Sequence, residues 1–202
     1  MLEASLAVIS LFLRERTSDF SVKELAAHAG LSERTFYRYF PRKEDAIRPA
    51  VDASLARIVS DMRAVPRGKT LREAMVEALS RSLTEENALN WENLLSVLNE
   101  TDSLRAVWLQ ILTNAELALA HAAAERLGLS ADSQRARLTG AILVTAGRLA
   151  LEQPSSAGRK RDPGEVLAEY LDLLGPTLFE EPADGRGPVR RSPPRRSRQR
   201  RR

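Results

Sequence analysis

The chain has 202 residues, long enough for one or two domains with a sizeable core. Its 43% apolar and 29% charged residues match globular averages and argue against wholesale disorder or a membrane bundle. With no cysteine and only His28 and His121, the sequence offers no disulfide, thiolate nucleophile or ordinary zinc site. The absence of cysteine fits a reducing compartment. Leu (30) and Ala (28) far outnumber Val (11) and Ile (5), so the apolar residues favour helices over strands. Charge-free apolar runs, at 4–13, 106–115 and 138–147, reach about ten residues, short of the roughly 20 that span a bilayer. The first run lacks a preceding Lys or Arg and a small-residue cleavage site, so it does not read as a signal peptide. The expectation is a cytoplasmic protein that does not engage a membrane.

The net charge of +4 divides unevenly. Residues 182–202 carry nine Arg against Asp184, whereas 1–181 carry 22 basic and 26 acidic residues. The Pro/Arg/Ser-rich tail has too little apolar surface to fold, and is expected to be disordered. It offers phosphate contacts, or is a solvated extension without a dedicated role.

Helix punctuation is legible along the chain. Ser21 to Glu24 and Thr70 to Glu73 have the spacing of capping boxes, and Asp162, Pro163 and Glu165 make a third helix start. Gly30 and Gly128 suit the left-handed position that ends a helix. With the 3.6-residue apolar spacing, helices are predicted at about 3–15, 22–29, 33–39, 42–63, 71–83, 86–99, 103–127, 131–152 and 163–179. No repeat at a solenoid period is visible. Pro66 to Lys69 makes the clearest internal break, and residues 153–162 read as a loop between the last two helices.

Residues 20–45, FSVKELAAHAGLSERTFYRYFPRKED, concentrate the function. A capped helix with Val22, Leu25, Ala26 and Ala29 on one face ends at Gly30, and Ser32 can cap a second short helix. That is a helix-turn-helix arrangement, whose second helix can lie in a major groove. The second helix and its exit carry Arg34, Thr35, Tyr37, Arg38, Tyr39, Arg42 and Lys43, donors of the kinds that reach phosphates and base edges. Phe36 and Phe40 read as core.

This stretch resembles the TetR family of bacterial transcriptional repressors. The matching residues are Leu11-Phe12, Ser21-Val22, Leu25-Ala26, Ala29-Gly30-Leu31-Ser32, Thr35-Phe36-Tyr37, Tyr39-Phe40 and Lys43-Glu44, spread over about 40 residues. The segment Asn99 to Ala106 is similar to one found in some members. Two departures stand out: Arg16 and Thr17 occupy positions where the family has Gly and an aromatic residue, and Met1 to Leu13 carry no basic residue, where the family often has a basic arm before the first helix. The resemblance implies phosphate contacts from Tyr37 and Lys43, and base or backbone contacts from Arg34, Thr35, Arg38 and Tyr39, with Lys23 as a further candidate.

A single short reading helix binds weakly, so a two-fold dimer is expected. Leu138, Ala141, Ile142, Thr145 and Leu149 on one predicted helix, with Leu167, Tyr170, Leu171 and Leu174 on the last, form candidate interface faces. The alternative is ordinary intramolecular core. Gly140 and Gly147 are costly inside a helix and suggest a close backbone neighbour. The resemblance agrees with a four-helix interface. Trp91, Leu95, Trp108, Ile111, Leu112 and Ala115 recur at helical spacing and are candidates to line an apolar effector pocket, or else simply core.

The expected fold is all-α: a helix-turn-helix domain at 1–48, a helical ligand-binding and dimerisation domain at 49–181, and the Arg-rich tail at 182–202. The expected function is a homodimeric regulator that binds a double-stranded DNA operator as a repressor and is released by a mostly apolar small molecule. No catalytic residue, metal or cofactor is expected. Two alternatives remain: an adaptor that binds nucleic acid or acidic partners through its tail, and an enzyme with an all-α pocket, for which no nucleophile–base arrangement presents itself.

Overall fold

The computed structural model describes residues 1–84, 89–152, 161–175 and 179–180. Among them there is no strand, and no helix is long and apolar enough to cross a membrane. The Arg-rich tail and most of the 153–162 loop lie outside the described residues.

The amino-terminal third is a compact helical unit. Helix α1 (Leu2–Glu15) buries Ala4, Val8, Ile9, Leu11 and Phe12, which recur at helical spacing. It ends at Arg16, whose φ of 55° is the left-handed value that glycine normally supplies. Arg16 therefore holds a side chain in a conformation where none is favoured. Holding an L-residue there costs about 1–2 kcal/mol. Arg16→Gly should raise stability by about 1 kcal/mol, a rise of roughly 2–4 °C in thermal midpoint. A fall in midpoint would show that the Arg16 side chain contributes more than its backbone costs.

Helix α2 (Val22–His28) starts at the expected capping box: Ser21 Oγ accepts from the Glu24 amide at 3.3 Å, and the Glu24 carboxylate accepts from Ser21 N–H at 2.8 Å. Gly30, at φ 68°, turns the chain into α3 (Glu33–Tyr39), which Ser32 caps through the Thr35 amide. The predicted helix at 42–63 is two elements: a 3-10 turn (Lys43–Ile47) and α4 (Arg48–Ala64). Pro49 has no N–H to reach back to Asp45 across an α-helical turn. The Arg48 amide instead closes the tighter bond to the Asp45 carbonyl.

The rest forms a second helical layer: α5 (Leu71–Thr84), α6 (Trp91–Leu98), α7 (Asp102–Leu127), α8 (Gln134–Leu151) and α9 (Pro163–Leu173). Helix α7 packs along α8 and against α4, α5 fits between α4 and α9, and α6 crosses to α1. Three predicted boundaries are corrected. Asn90 caps α6 through the Asn93 amide, so the helix starts at Trp91 rather than 86. Ser133 caps α8 through the Ala136 amide, so that helix starts at 134 rather than 131. Gly175, at φ 72°, follows the end of α9, well before 179.

The break at Pro66–Lys69 is held firmly. The Arg126 guanidinium donates to the carbonyls of Val65 at 2.9 Å, Pro66 at 2.6 Å and Lys69 at 2.7 Å, tying the α4–α5 connection to the last turn of α7. A planar fork of fixed donors suits this cluster of carbonyls.

Candidate nucleic-acid interface

Two phenylalanines fix α3 in place. Phe36 and Phe40 are fully buried, with ring centres 5.0 Å apart in an edge-to-face arrangement. With Phe36 turned inward, the opposite side of α3 turns out. Arg34, Tyr37 and Arg38 are exposed, and they share a face by their three- and four-residue spacing. Tyr37 is 52% exposed, so its hydroxyl is free to meet a partner.

The neighbouring candidates are placed differently. Thr35 is half-buried and its Oγ1 accepts from Ser32 Oγ at 3.0 Å, at the cap of α3. Tyr39 is half-buried, with its ring edge-on to Phe40, and the Arg38 guanidinium lies 5.5 Å from its ring centre. Tyr39 thus packs and also positions Arg38. Lys23 is exposed in the first turn of α2. Lys43 is half-buried and its ammonium donates to the Phe20 carbonyl at 2.9 Å. Arg42 pairs with Asp45, and this pairing raises its pKa further. His28 Nε2 lies 3.5 Å from Ser10 Oγ on the surface.

The second domain places the pocket and interface candidates unevenly. A cavity of about 40 Å³ between α4, α5, α7 and α8 is lined by Trp108, Leu112 and Ala115, together with Leu55, Met75 and Leu143. Trp91, Leu95 and Ile111 do not line it. Helix α6 lies over α1 and α7 rather than over the cavity, so Trp91 packs behind Trp108 at a ring-centre distance of 5.8 Å. The Trp91 indole N–H is buried without a hydrogen-bond partner among the described residues.

Of the interface candidates, Leu138, Thr145, Leu149 and Leu174 are exposed, while Ala141, Ile142 and Tyr170 are half-buried. Leu167 and Leu171 are corrected: both are buried within the chain, on the side of α9 that meets α5 and α8, and have no surface to offer a partner. Leu173, at 83% exposure, is an outward residue that the apolar pattern did not single out. Gly140 does mark a close backbone approach, but the neighbour is α7 of the same chain. A Cβ there would lie 2.4 Å from the Glu116 carbonyl oxygen.

Sequence reasoning also missed the polar contacts that join the two layers. Glu100 accepts from Thr17 and Ser18, and Arg48 donates to Gln110. Partners separated by 62 to 83 positions leave no local pattern to read.

Residues 9–47 match the family model for bacterial regulatory proteins of the tetR family, and residues 65–178 match the model of the MftR C-terminal domain. The chain belongs to the TetR family. It is a transcriptional regulator of that family, with a DNA-binding helix-turn-helix domain at its amino-terminal end. The crystal structure of the TetR family repressor AlkX from Dietzia sp. strain DQ12-45-1b, implicated in biodegradation of n-alkanes, superimposes with a TM-score of 0.61 at 20% identity. The match covers 87% of this chain and 96% of AlkX. A Rhodococcus sp. protein described as a TetR-family transcriptional regulator superimposes with a TM-score of 0.54 at 16% identity, covering 86% of this chain and 99% of that one. At such identities the likeness is one of fold. No curated protein matches the sequence.

Proposed function

We propose that this TetR-family regulator acts in the cytoplasm as a homodimeric repressor of a two-fold-symmetric operator. The observation that carries the reading is the outward face of α3, where Arg34, Tyr37 and Arg38 project from a helix anchored by two buried phenylalanines. Arginine in a major groove can donate to two acceptors of a guanine, while a tyrosine hydroxyl suits phosphate. Lys23 from α2, with Thr35 and Tyr39 beside the reading face, completes the proposed interface. Lys43 belongs to it through Phe20: its ammonium holds the loop that leads into α2 and remains near enough to the surface to meet phosphate.

The dimer is proposed to form through Leu138, Ala141, Ile142, Thr145 and Leu149 of α8 with Tyr170 and Leu174 of α9. Joined this way, two copies would present their reading helices to half-sites about 34–36 Å apart. The cavity behind Trp108 is the proposed effector site. At about 40 Å³ it is far smaller than the roughly 300–1,000 Å³ of a filled ligand pocket. An apolar effector therefore has to enlarge it, and it would favour a population of dimers with a changed separation of reading helices.

The division of labour on α3 makes the reading testable. Arg34→Ala should cost about 1–3 kcal/mol of operator affinity and relax the preference at the base pair it meets. Tyr37→Phe should weaken binding to operator and random DNA alike. Titrating both variants against the operator and a shuffled duplex checks this, and equal effects of the two substitutions on both duplexes would contradict it.

A further inference from the structure

The turn between α1 and α2 is held from the far side of the molecule. Glu100 lies between α6 and α7, in the second domain. Its carboxylate accepts hydrogen bonds from Thr17 Oγ1, from the Ser18 amide and from Ser18 Oγ, each at 2.7 Å. Ser18 is only 6% exposed, and these donors hold the carboxyl below its usual pKa, the Ser18 hydroxyl most strongly and Thr17 next. Charge-assisted bonds that converge on one carboxylate fix direction as well as distance.

The clasp adds a directional polar contact to the apolar packing of α1 on α4 and α6 and of the Lys43–Ile47 turn on α7. A cleft of about 330 Å³ opens beside it, lined by Phe12, Asp19, Lys43 and Glu44. Across that cleft Ser103 reaches Glu44 only at 3.5 Å. On the near side, Lys43 holds the Phe20 carbonyl, so the turn gripped by Glu100 is also tied to the segment that leaves α3. Displacing the turn would therefore carry both ends of the helix-turn-helix with it.

We infer that Glu100 is a positioning residue: its grip on Thr17 and Ser18 sets the angle of the helix-turn-helix against the second domain, and so the half-site spacing that the dimer accepts. This rests on the dimeric operator reading above. In a two-fold dimer, a small rotation at each clasp changes the separation of the two reading helices while leaving each reading face intact. Glu100 thus governs which spacing is bound, and leaves recognition of a single half-site unchanged.

The test uses the full chain, its selected operator, a duplex with one base pair inserted between the half-sites (about 3.4 Å of helix axis), and a duplex with a single half-site. The wild type should prefer the unaltered spacing by at least about tenfold, the scale of one charge-assisted hydrogen bond. Glu100→Ala should bind both spacings within about threefold while its single half-site affinity stays at the wild-type level. Glu100→Gln, which keeps an acceptor, should recover part of the preference, and Ser18→Ala should add nothing in the Glu100→Ala background. Thr17→Val with Ser18→Ala removes the side-chain donors without touching Glu100, and should relax spacing in the same direction. Retention of the wild-type spacing preference by either altered clasp would overturn the inference, as would equal losses on all three duplexes. A wild type that selects no two-fold site at all would remove the dimeric reading, and the inference with it.

Discussion

Phe36→Ala should cost about 3–5 kcal/mol and abolish operator binding while the second domain stays folded. Phe36 is 0% exposed and packs edge-to-face on Phe40, so its removal empties the centre of the helix-turn-helix. Helix α3 has only seven residues, and isolated helices shorter than about 12–15 residues are marginal in water. What keeps α3 helical is the Ser32 cap and the packing of Phe36; the cap alone contributes about 1 kcal/mol. Chemical denaturation should show an early transition confined to a small part of the helical signal, followed by the main one. Retained operator affinity in Phe36→Ala would mean that the reading helix is held by something other than this aromatic pair.

Gly140→Ala gives the second large effect, and its sign opposes helix propensity. Propensity alone favours alanine inside a helix by about 0.8–1 kcal/mol. A Cβ at Gly140, however, would lie 2.4 Å from the Glu116 carbonyl oxygen and 2.6 Å from the Ala120 amide nitrogen, both backbone atoms of α7. Neither can turn aside as a side chain can, so α7 and α8 must separate, at a net cost of about 1–3 kcal/mol. For a chain of this size the thermal midpoint should fall by roughly 2–4 °C per kcal/mol. Gly147 supplies the contrast, because a Cβ there meets only the Met75 methyl, at 3.9 Å. Gly147→Ala should be neutral or mildly stabilising. A gain in stability from Gly140→Ala would show that the α7–α8 contact is looser than the structure has it.

Local chemistry was the most legible part of the sequence. Ser21, Ser32 and Asp162 cap the helices that their spacing announces, and Gly30 and Gly128 end α2 and α7 in the left-handed conformation. The buried and exposed sides of α3 follow from helical spacing once Phe36 is turned inward. Features set by distant partners were not legible. Apolar spacing shows that α9 has a buried stripe but not whether that stripe faces α5 or a second copy; Leu167 and Leu171 are buried within the chain. Gly140 announced a close approach without naming α7. Trp91 shares the spacing of a pocket residue, yet the path of α6 carries it behind Trp108. The split at Pro49 was open to inspection, because a proline without an N–H cannot continue an α-helical ladder from Asp45.

Specific DNA recognition is proposed to reside in the outward face of α3, presented twice by a dimer. Selection of genomic fragments at roughly physiological salt against excess random competitor, with the full chain and with a chain ending at Glu181, tests it most directly. Both proteins should recover one shared two-fold-symmetric site. Enrichment only by the full chain, without a common sequence, would contradict it and assign binding to the Arg-rich tail.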